Sequence, residues 1–239
     1  MLQIDHLTKI YAGGKQALDG LSLSLKPGEL VGFIGPNGAG KTTALRIITG
    51  IIPPTHGSVA IGGHDITTDA LAAKRRFTFV PDHPEIYEGL SGIAYLNFIA
   101  DIYEVGVEER KERIERYTRL FQIDDALGQS IGSYSHGMKQ KLLITGALLP
   151  EAPLFILDEP HVGLDPHSAR VLKDLMLEHC QKGGTVLFST HVLEVVENLC
   201  HRVAILKDGR LLAFDTLENI KSGSNESLEE IFLELTEDA

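Results

Sequence analysis

Cysteine is scarce, occurring only at Cys180 and Cys200. Two thiols so spaced are neither a disulfide framework nor a metal knuckle, and they suit a reducing interior in which both are buried. Basic residues are in deficit, with 22 Lys and Arg against 33 Asp and Glu and a net charge of −11. That balance excludes electrostatic capture of duplex DNA or anionic lipid as the main business, so no direct nucleic-acid partner is expected. Long hydrophobic runs are missing. The strongest stretch, Ile47 to Gly63, is interrupted by Pro53, Pro54, Thr55 and His56, where a spanning helix needs about 20 apolar residues. Met1 to Tyr11 carries Asp5 and His6 and no apolar core of signal-peptide length, so the chain is expected on the cytoplasmic side, soluble when isolated. There is no internal repeat. His64, His83, His161, His167 and His179 are scattered and form no zinc pattern.

What is present is the composition of a folded protein: 43% hydrophobic and 23% charged residues over 239 positions, enough for one domain with a sizeable core. Leu21, Leu23 and Leu25 alternate with Ser22 and Ser24, which predicts an antiparallel edge region together with a short strand near Leu2 to Ile4. Val31 to Ile34 reads as a strand, Thr43 to Thr49 as a helix, Val59 to Ile66 as a small hairpin, and Arg76 to Val80 as a strand stopped by Pro81. The middle is helical, over Ile93 to Tyr103, Glu108 to Phe121 and Ser135 to about Leu148. Within the second of these, Ile114, Tyr117, Leu120 and Phe121 form one stripe. Strands then alternate with helices: Leu154 to Leu157, Ser168 to Gln181, Thr185 to Ser189, Val192 to Leu199 and Val203 to Leu206. A turn at Asp208-Gly209 leads to Leu211 to Phe214. The tail from Ser222 places Leu228, Ile231, Phe232 and Leu235 on one helical face. Glu226, Glu229, Glu230, Glu234, Glu237 and Asp238 make it acidic elsewhere.

This order predicts an α/β fold with a mainly parallel sheet, an antiparallel β edge subdomain and an inserted helical subdomain. The expected division of the single domain is 1–82 and 151–215 for the core with its β subdomain, 83–150 for the helical insertion and 216–239 for the tail.

Gly35-Pro36-Asn37-Gly38-Ala39-Gly40-Lys41-Thr42 matches G-x-x-x-x-G-K-[ST] and lies between an apolar strand and a helix, where such a loop works. Its glycines let backbone N–H groups curl around phosphate oxygens, and the helix terminus adds partial positive charge. Lys41 is expected to reach the terminal phosphates and the Thr42 hydroxyl to ligate Mg²⁺. Thr43 follows directly. Leu154 to Leu157 ends in Asp158-Glu159. A strand-end acid suits the second Mg²⁺ ligand, and its neighbour Glu159 is placed to polarise an attacking water. The chemistry implied is phosphoanhydride hydrolysis. A phosphoryl acceptor other than water stays open on spacing alone.

With these motifs in order, the chain resembles along nearly its whole length the nucleotide-binding subunit of ATP-binding cassette transporters, a family of P-loop NTPases. It is most similar in pattern to the bacterial ABC-2, multidrug or antibiotic export type. The resemblance rests on Tyr11, the loop 35–42, the segment around Asp82, Tyr134-Ser135-His136-Gly137-Met138, Asp158-Glu159-Pro160, Gly163-Leu164-Asp165 and His191. It implies ATP and Mg²⁺ as ligands and Tyr11 as a platform for adenine, although ordinary edge-strand packing would also explain that residue. It further implies that Ser135 and Gly137 cap the γ phosphate held by a second copy, that His191 is a switch histidine beside Glu159 and Lys41, and that Asp165 communicates between paired sites. A capped turn at Asp165 is equally readable. The implied partners are a second copy of the chain, head to tail, and an integral-membrane permease that keeps the protein peripheral to the membrane. The segment from about Ile86 to Tyr103 resembles the surface that receives the permease.

Two departures mark this chain. In the signature, His136 replaces a glycine and Met138 a glutamine. After the strand ending at Val80, Pro81-Asp82 stands where the family has a glutamine near Mg²⁺. Asp82 reads either as a ligand acting through Mg²⁺-bound water or as an inert loop acid. The expected function is ATP hydrolysis that powers a membrane exporter. The alternatives are a non-transport cassette ATPase and a weakly hydrolysing ATP sensor.

Overall fold

Alternation at period two builds the N-terminal edge. The computed structural model describes residues 1–83, 86–221 and 227–237. In β1 (Leu2–Ile10) and β2 (Gln16–Leu25), Leu2, Ile4, Leu21, Leu23 and Leu25 are buried while Gln3, Ser22 and Ser24 are exposed. The strands pair antiparallel, Leu2 opposite Leu25 and Ile4 opposite Leu23. In β3 (Leu30–Ile34) every residue is buried, the pattern of a strand covered on both faces. It feeds the glycine-rich loop and then α1 (Lys41–Ile48). Gly40 turns the chain at φ +104°, and a Cβ there would lie 2.5 Å from the carbonyl oxygen of Ala17, so this entry requires glycine.

The expected hairpin is β4 (His56–Ile61) with β5 (His64–Asp65), completing a first sheet in the order β2-β1-β4-β5. A short α2 (Ala70–Lys74), which carries no clear periodicity, precedes β6 (Phe77–Val80). The helical insertion consists of α3 (Gly92–Ile102), α4 (Val107–Leu120) and α5 (His136–Leu148), which join one core through Tyr95, Leu96, Ile114, Tyr117, Leu142 and Ile144. The helix expected from Ile93 begins at Gly92, where the Ser91 side chain caps it by accepting from the Ala94 N–H. One detail differs from the sequence pattern. Leu120, placed on the buried stripe, is 37% exposed at the helix end.

The second sheet has the order β10-β9-β3-β8-β7-β6, formed with β7 (Leu154–Asp158), β8 (Thr185–Ser189), β9 (Arg202–Lys207) and β10 (Arg210–Thr216). All of its pairings are parallel except β9 with β10, which turn through Asp208 and Gly209, both at positive φ. α6 (Pro166–Gln181) and α7 (Leu193–Leu199) are the connections on either side of β8, and α8 (Leu217–Ile220) and α9 (Leu228–Glu237) end the chain. Gly32 lets α7 close on β3, since a Cβ there would fall 2.9 Å from Val196 Cγ1 and 3.0 Å from Cys200 Sγ. Both cysteines are free and buried, and burial pushes the Cys180 thiol up to about 11.

On α9 the expected apolar face docks: Leu228 and Ile231 are buried, with Phe232 and Leu235 packed beside them, while Glu229, Glu230 and Glu234 are exposed. Glu226 and Asp238, counted in the acidic side of this tail, lie outside the described residues.

β3 sits where the strand order departs to both sides, with β8 on one flank and β9 on the other. The crevice beyond the carboxyl ends of the strands at such a switch point is where open α/β sheets bind ligands. The phosphate-type loop follows β3, Asp158 ends β7, His191 follows β8 and Asp82 follows β6. Four connections therefore converge on one rim.

Candidate active site

The loop after β3 and the start of α1 form one wall of a cleft of about 330 Å³, whose lining includes residues 37–43, Tyr11, Asp82 and Glu159. Lys41 is 8% exposed. Its Nζ donates to the carbonyl oxygens of Gly35 at 2.6 Å and Pro36 at 3.3 Å. Burial lowers its pKa, and the charges of Glu159 and then Asp158 raise it. A cation held by its own loop beside two acids is a fixed electrostatic device for anionic oxygens.

Across the cleft, parallel pairing sets Asp158 opposite Ser189. The Ser189 hydroxyl donates to Asp158 Oδ1 at 2.5 Å and accepts the Glu159 N–H at 3.0 Å. Burial pushes the Asp158 carboxyl up, opposed by the hydroxyls of Ser189 and Thr42. Its Oδ2 is buried and has no hydrogen-bond partner among the described residues. An unpaired buried carboxylate oxygen is costly unless something positive meets it. One hydroxyl, one orphaned carboxylate oxygen and neighbouring phosphate oxygens are a donor set that fits Mg²⁺, which usually keeps several waters and takes few protein ligands. Thr42 and Asp158 are the residues that would hold it.

Glu159 occupies φ +47°, a left-handed conformation that a non-glycine residue adopts only when its surroundings enforce it. Here its N–H is held by Ser189 and its Oε2 lies 2.9 Å from His191 Nδ1. A carboxylate and an imidazole are thus coupled on the rim, with the histidine side chain 61% exposed. Asp82 lines the same cleft and pairs with His83 Nδ1 at 2.9 Å. Tyr11 lies just past the end of β1, 38% exposed, with its hydroxyl 3.3 Å from Thr43 Oγ1 and Lys9 Nζ 5.4 Å from its ring centre.

The signature segment lies elsewhere. Ser135 and Gly137 are not in the lining of this cleft. Ser135 caps α5 by accepting the Met138 N–H at 3.2 Å and is itself exposed, so the positive end of a 13-residue helix opens outward. The His136 ring lies over the loop containing Gly163, where a Cβ would meet its Cδ2 at 2.6 Å, and a Cβ on Gly137 would stand 2.7 Å from Gly163 O. Asp165 caps α6 through the Ser168 N–H and pairs with Lys141 Nζ at 2.6 Å. Lys141, and then the Ser168 N–H, hold its carboxyl well below the usual carboxylate range.

Sequence reasoning missed Ser189, whose double role depends on the register between β7 and β8. It also missed Lys15 and Ala17, which the β1–β2 turn brings to the cleft. Only the position of Ser189 at a strand end, two residues before His191, offered a signal.

With this geometry in hand, comparisons with known proteins narrow the reading. The family model described as ABC transporter matches residues 18–162. The ABC-type transporter ATP-binding protein EcsA of Bacillus subtilis (strain 168) is 34% identical over 241 residues, covering 100% of this chain and 97% of that protein. The linearmycin resistance ATP-binding protein LnrL of the same organism is 34% identical over 222 residues, covering 93% and 71%. Among solved structures, the ATP-binding subunit of an ABC transporter superimposes with a TM-score of 0.94 at 34% identity, covering 98% of this chain and 99% of that one. A dimeric ATP-binding cassette bound to ADP and phosphate in a post-hydrolysis state gives a TM-score of 0.80 at 25% identity, covering 91% and 99%.

Proposed function

The chain belongs to the ABC transporter family of ATP-binding proteins, and from that premise we propose that it hydrolyses ATP as a head-to-tail pair to drive a separate membrane-spanning exporter subunit. The observation that carries the reading is the rim at Asp158, Glu159, Ser189 and His191. There an orphaned buried carboxylate oxygen and a hydrogen-bonded Glu–His pair stand beside a buried lysine. Among the described residues no helix is long and apolar enough to cross a membrane.

In this reading residues 35–43 wrap the phosphates and Lys41 stabilises charge on the terminal oxygens. Thr42 and Asp158 would hold Mg²⁺, which when bound would neutralise phosphate charge. Glu159 orients the attacking water and accepts its proton as the water oxygen bonds to the γ phosphorus and the bond from that phosphorus to the β–γ bridging oxygen breaks, ADP departing with the bridging oxygen, while His191 holds the Glu159 carboxylate in place. Tyr11 offers its ring to the base. Ser135 and Gly137 bring a helix N-terminus to the γ phosphate of the other copy. Export as the direction follows the type of relative matched, such as LnrL, named for linearmycin resistance.

The test is phosphate release by the full chain with ATP and Mg²⁺, alongside Glu159→Gln. The variant is expected to lose about 10²- to 10⁴-fold in rate, the usual contribution of a general base. It should also elute as an ATP-dependent pair in size-exclusion chromatography with light scattering. A strictly monomeric variant, together with a wild type that releases no phosphate even when its membrane partner is supplied, would overturn the reading.

A further inference from the structure

We propose that Phe232 on α9 is a positioning residue for hydrolysis, bracing from outside the nucleotide cleft the segment that carries His191. The inference rests on the ATPase reading above. Phe232 is one wall of a cavity of about 240 Å³ whose other walls are Gly35, Pro36, Asn37, His191 and Leu193. Asn37 also lines the nucleotide cleft, so the phosphate loop is a partition shared by two hollows.

Three attachments make α9 a fixed brace. Leu228 is fully buried in the main core, with Phe232 and Leu235 packed against that core, which seats the helix. At its other end Lys207 Nζ donates to the Thr236 carbonyl oxygen at 2.5 Å. Lys207 closes β9, and Gly209 in the following turn donates its N–H to Ala39 O at 3.0 Å, so the strand end gripping α9 also grips the phosphate loop. Along its length α9 packs on α7, which starts two residues after His191.

Beyond its bond to Glu159, the His191 ring depends on the backbone that carries it. The His191 side chain is 61% exposed and its ring is hydrogen-bonded to Glu159. The position of that ring is therefore set by the backbone leading into α7, and α7 is clamped between β3 at Gly32 and α9. Removing the Phe232 ring enlarges the cavity beside His191 and lets this backbone relax into it.

The experiment uses the full chain with Phe232→Ala, Phe232→Leu and, as a control on the same helix, Leu233→Ala, whose side chain is 44% exposed. In steady-state phosphate release Phe232→Ala is expected to lower kcat about tenfold with KM for ATP within about twofold, since misplacing a reacting group costs rate and not ground-state binding. Phe232→Leu should be intermediate and Leu233→Ala unchanged. A second readout needs no turnover. In histidine-labelled protein the His191 ring resonance, identified by its loss in His191→Gln, should move in Phe232→Ala. Wild-type kcat with an unmoved resonance overturns the proposal, as does an equal loss in Leu233→Ala. If Phe232→Ala fails to fold, Phe232→Leu decides by the same two readouts. A wild type that releases no phosphate while the resonance still moves counts against the ATPase reading and leaves the brace standing.

Discussion

The two regions proposed to meet phosphate, one around Lys41 and one around Ser135, are built to different degrees of completion. Around Lys41 the parts interlock: the ammonium on its own loop carbonyls, Ser189 bridging Asp158 and the Glu159 amide, and Glu159 paired with His191. Around Ser135 there is a capped helix start with an exposed serine and histidine, and its close neighbour is the 163–165 loop of the same chain rather than the cleft. One region is a finished cradle and the other a single wall. A wall that opens outward at a positive helix end is useful only when something anionic is brought to it, which is the physical content of the proposed pairing.

The comparison is broken most directly by mixing copies. Lys41→Ala and Ser135→Arg should each lower ATP hydrolysis by about 10²-fold or more when alone, the loss typical of removing a preorganised charge or donor. Mixed together, they should regain at least about a tenth of wild-type activity, because one site in each mixed pair then combines an intact loop with an intact signature. No recovery in mixed pairs verified by mass would place both regions in one copy's chemistry.

A smaller effect sharpens the finished side. Asp82 lines the cleft, and its charge acts on Asp158. Asp82→Ala is expected to raise the Mg²⁺ concentration for half-maximal activity about threefold, the scale of losing one partly exposed charge near a bound cation. An unchanged Mg²⁺ profile assigns Asp82 to the loop alone.

The smallest effect concerns the wall. Lys141→Met removes the partner of Asp165, whose carboxyl is held below its ordinary value in the fold. With Asp165 about half exposed, the pair is worth less than about 1 kcal/mol. Because the folded pKa is depressed, that stability is fully present above the unfolded carboxyl value and is lost as pH falls through the folded one. Chemical denaturation of the two proteins should therefore differ at pH 7 and converge in acid.

The sequence made the phosphate loop and the main sheet legible for a simple reason: β3 and β7 are buried on both faces and read as unbroken apolar runs ending at the loop and the acids. Leu21, Leu23 and Leu25 disclosed the edge sheet through alternation. Register between strands leaves no such mark, so Ser189 opposite Asp158 was invisible, as were Lys15 and Ala17, carried to the cleft by a turn. The start of α3 was legible to within one residue, because the apolar periodicity from Ile93 follows directly on the Ser91 cap.

Ser189 sets a narrow condition on what may replace it. Its one hydroxyl donates a hydrogen bond to Asp158 and accepts one from the Glu159 amide. Alanine would strand Asp158 Oδ1 and leave the Glu159 amide only the Ser189 backbone carbonyl at 3.2 Å, and valine would add bulk without restoring either side-chain bond. Only a short alcohol satisfies the two demands, so threonine is the one natural exchange the rim has chemistry to tolerate, and the placing of two neighbouring acids depends on one hydroxyl buried in the sheet.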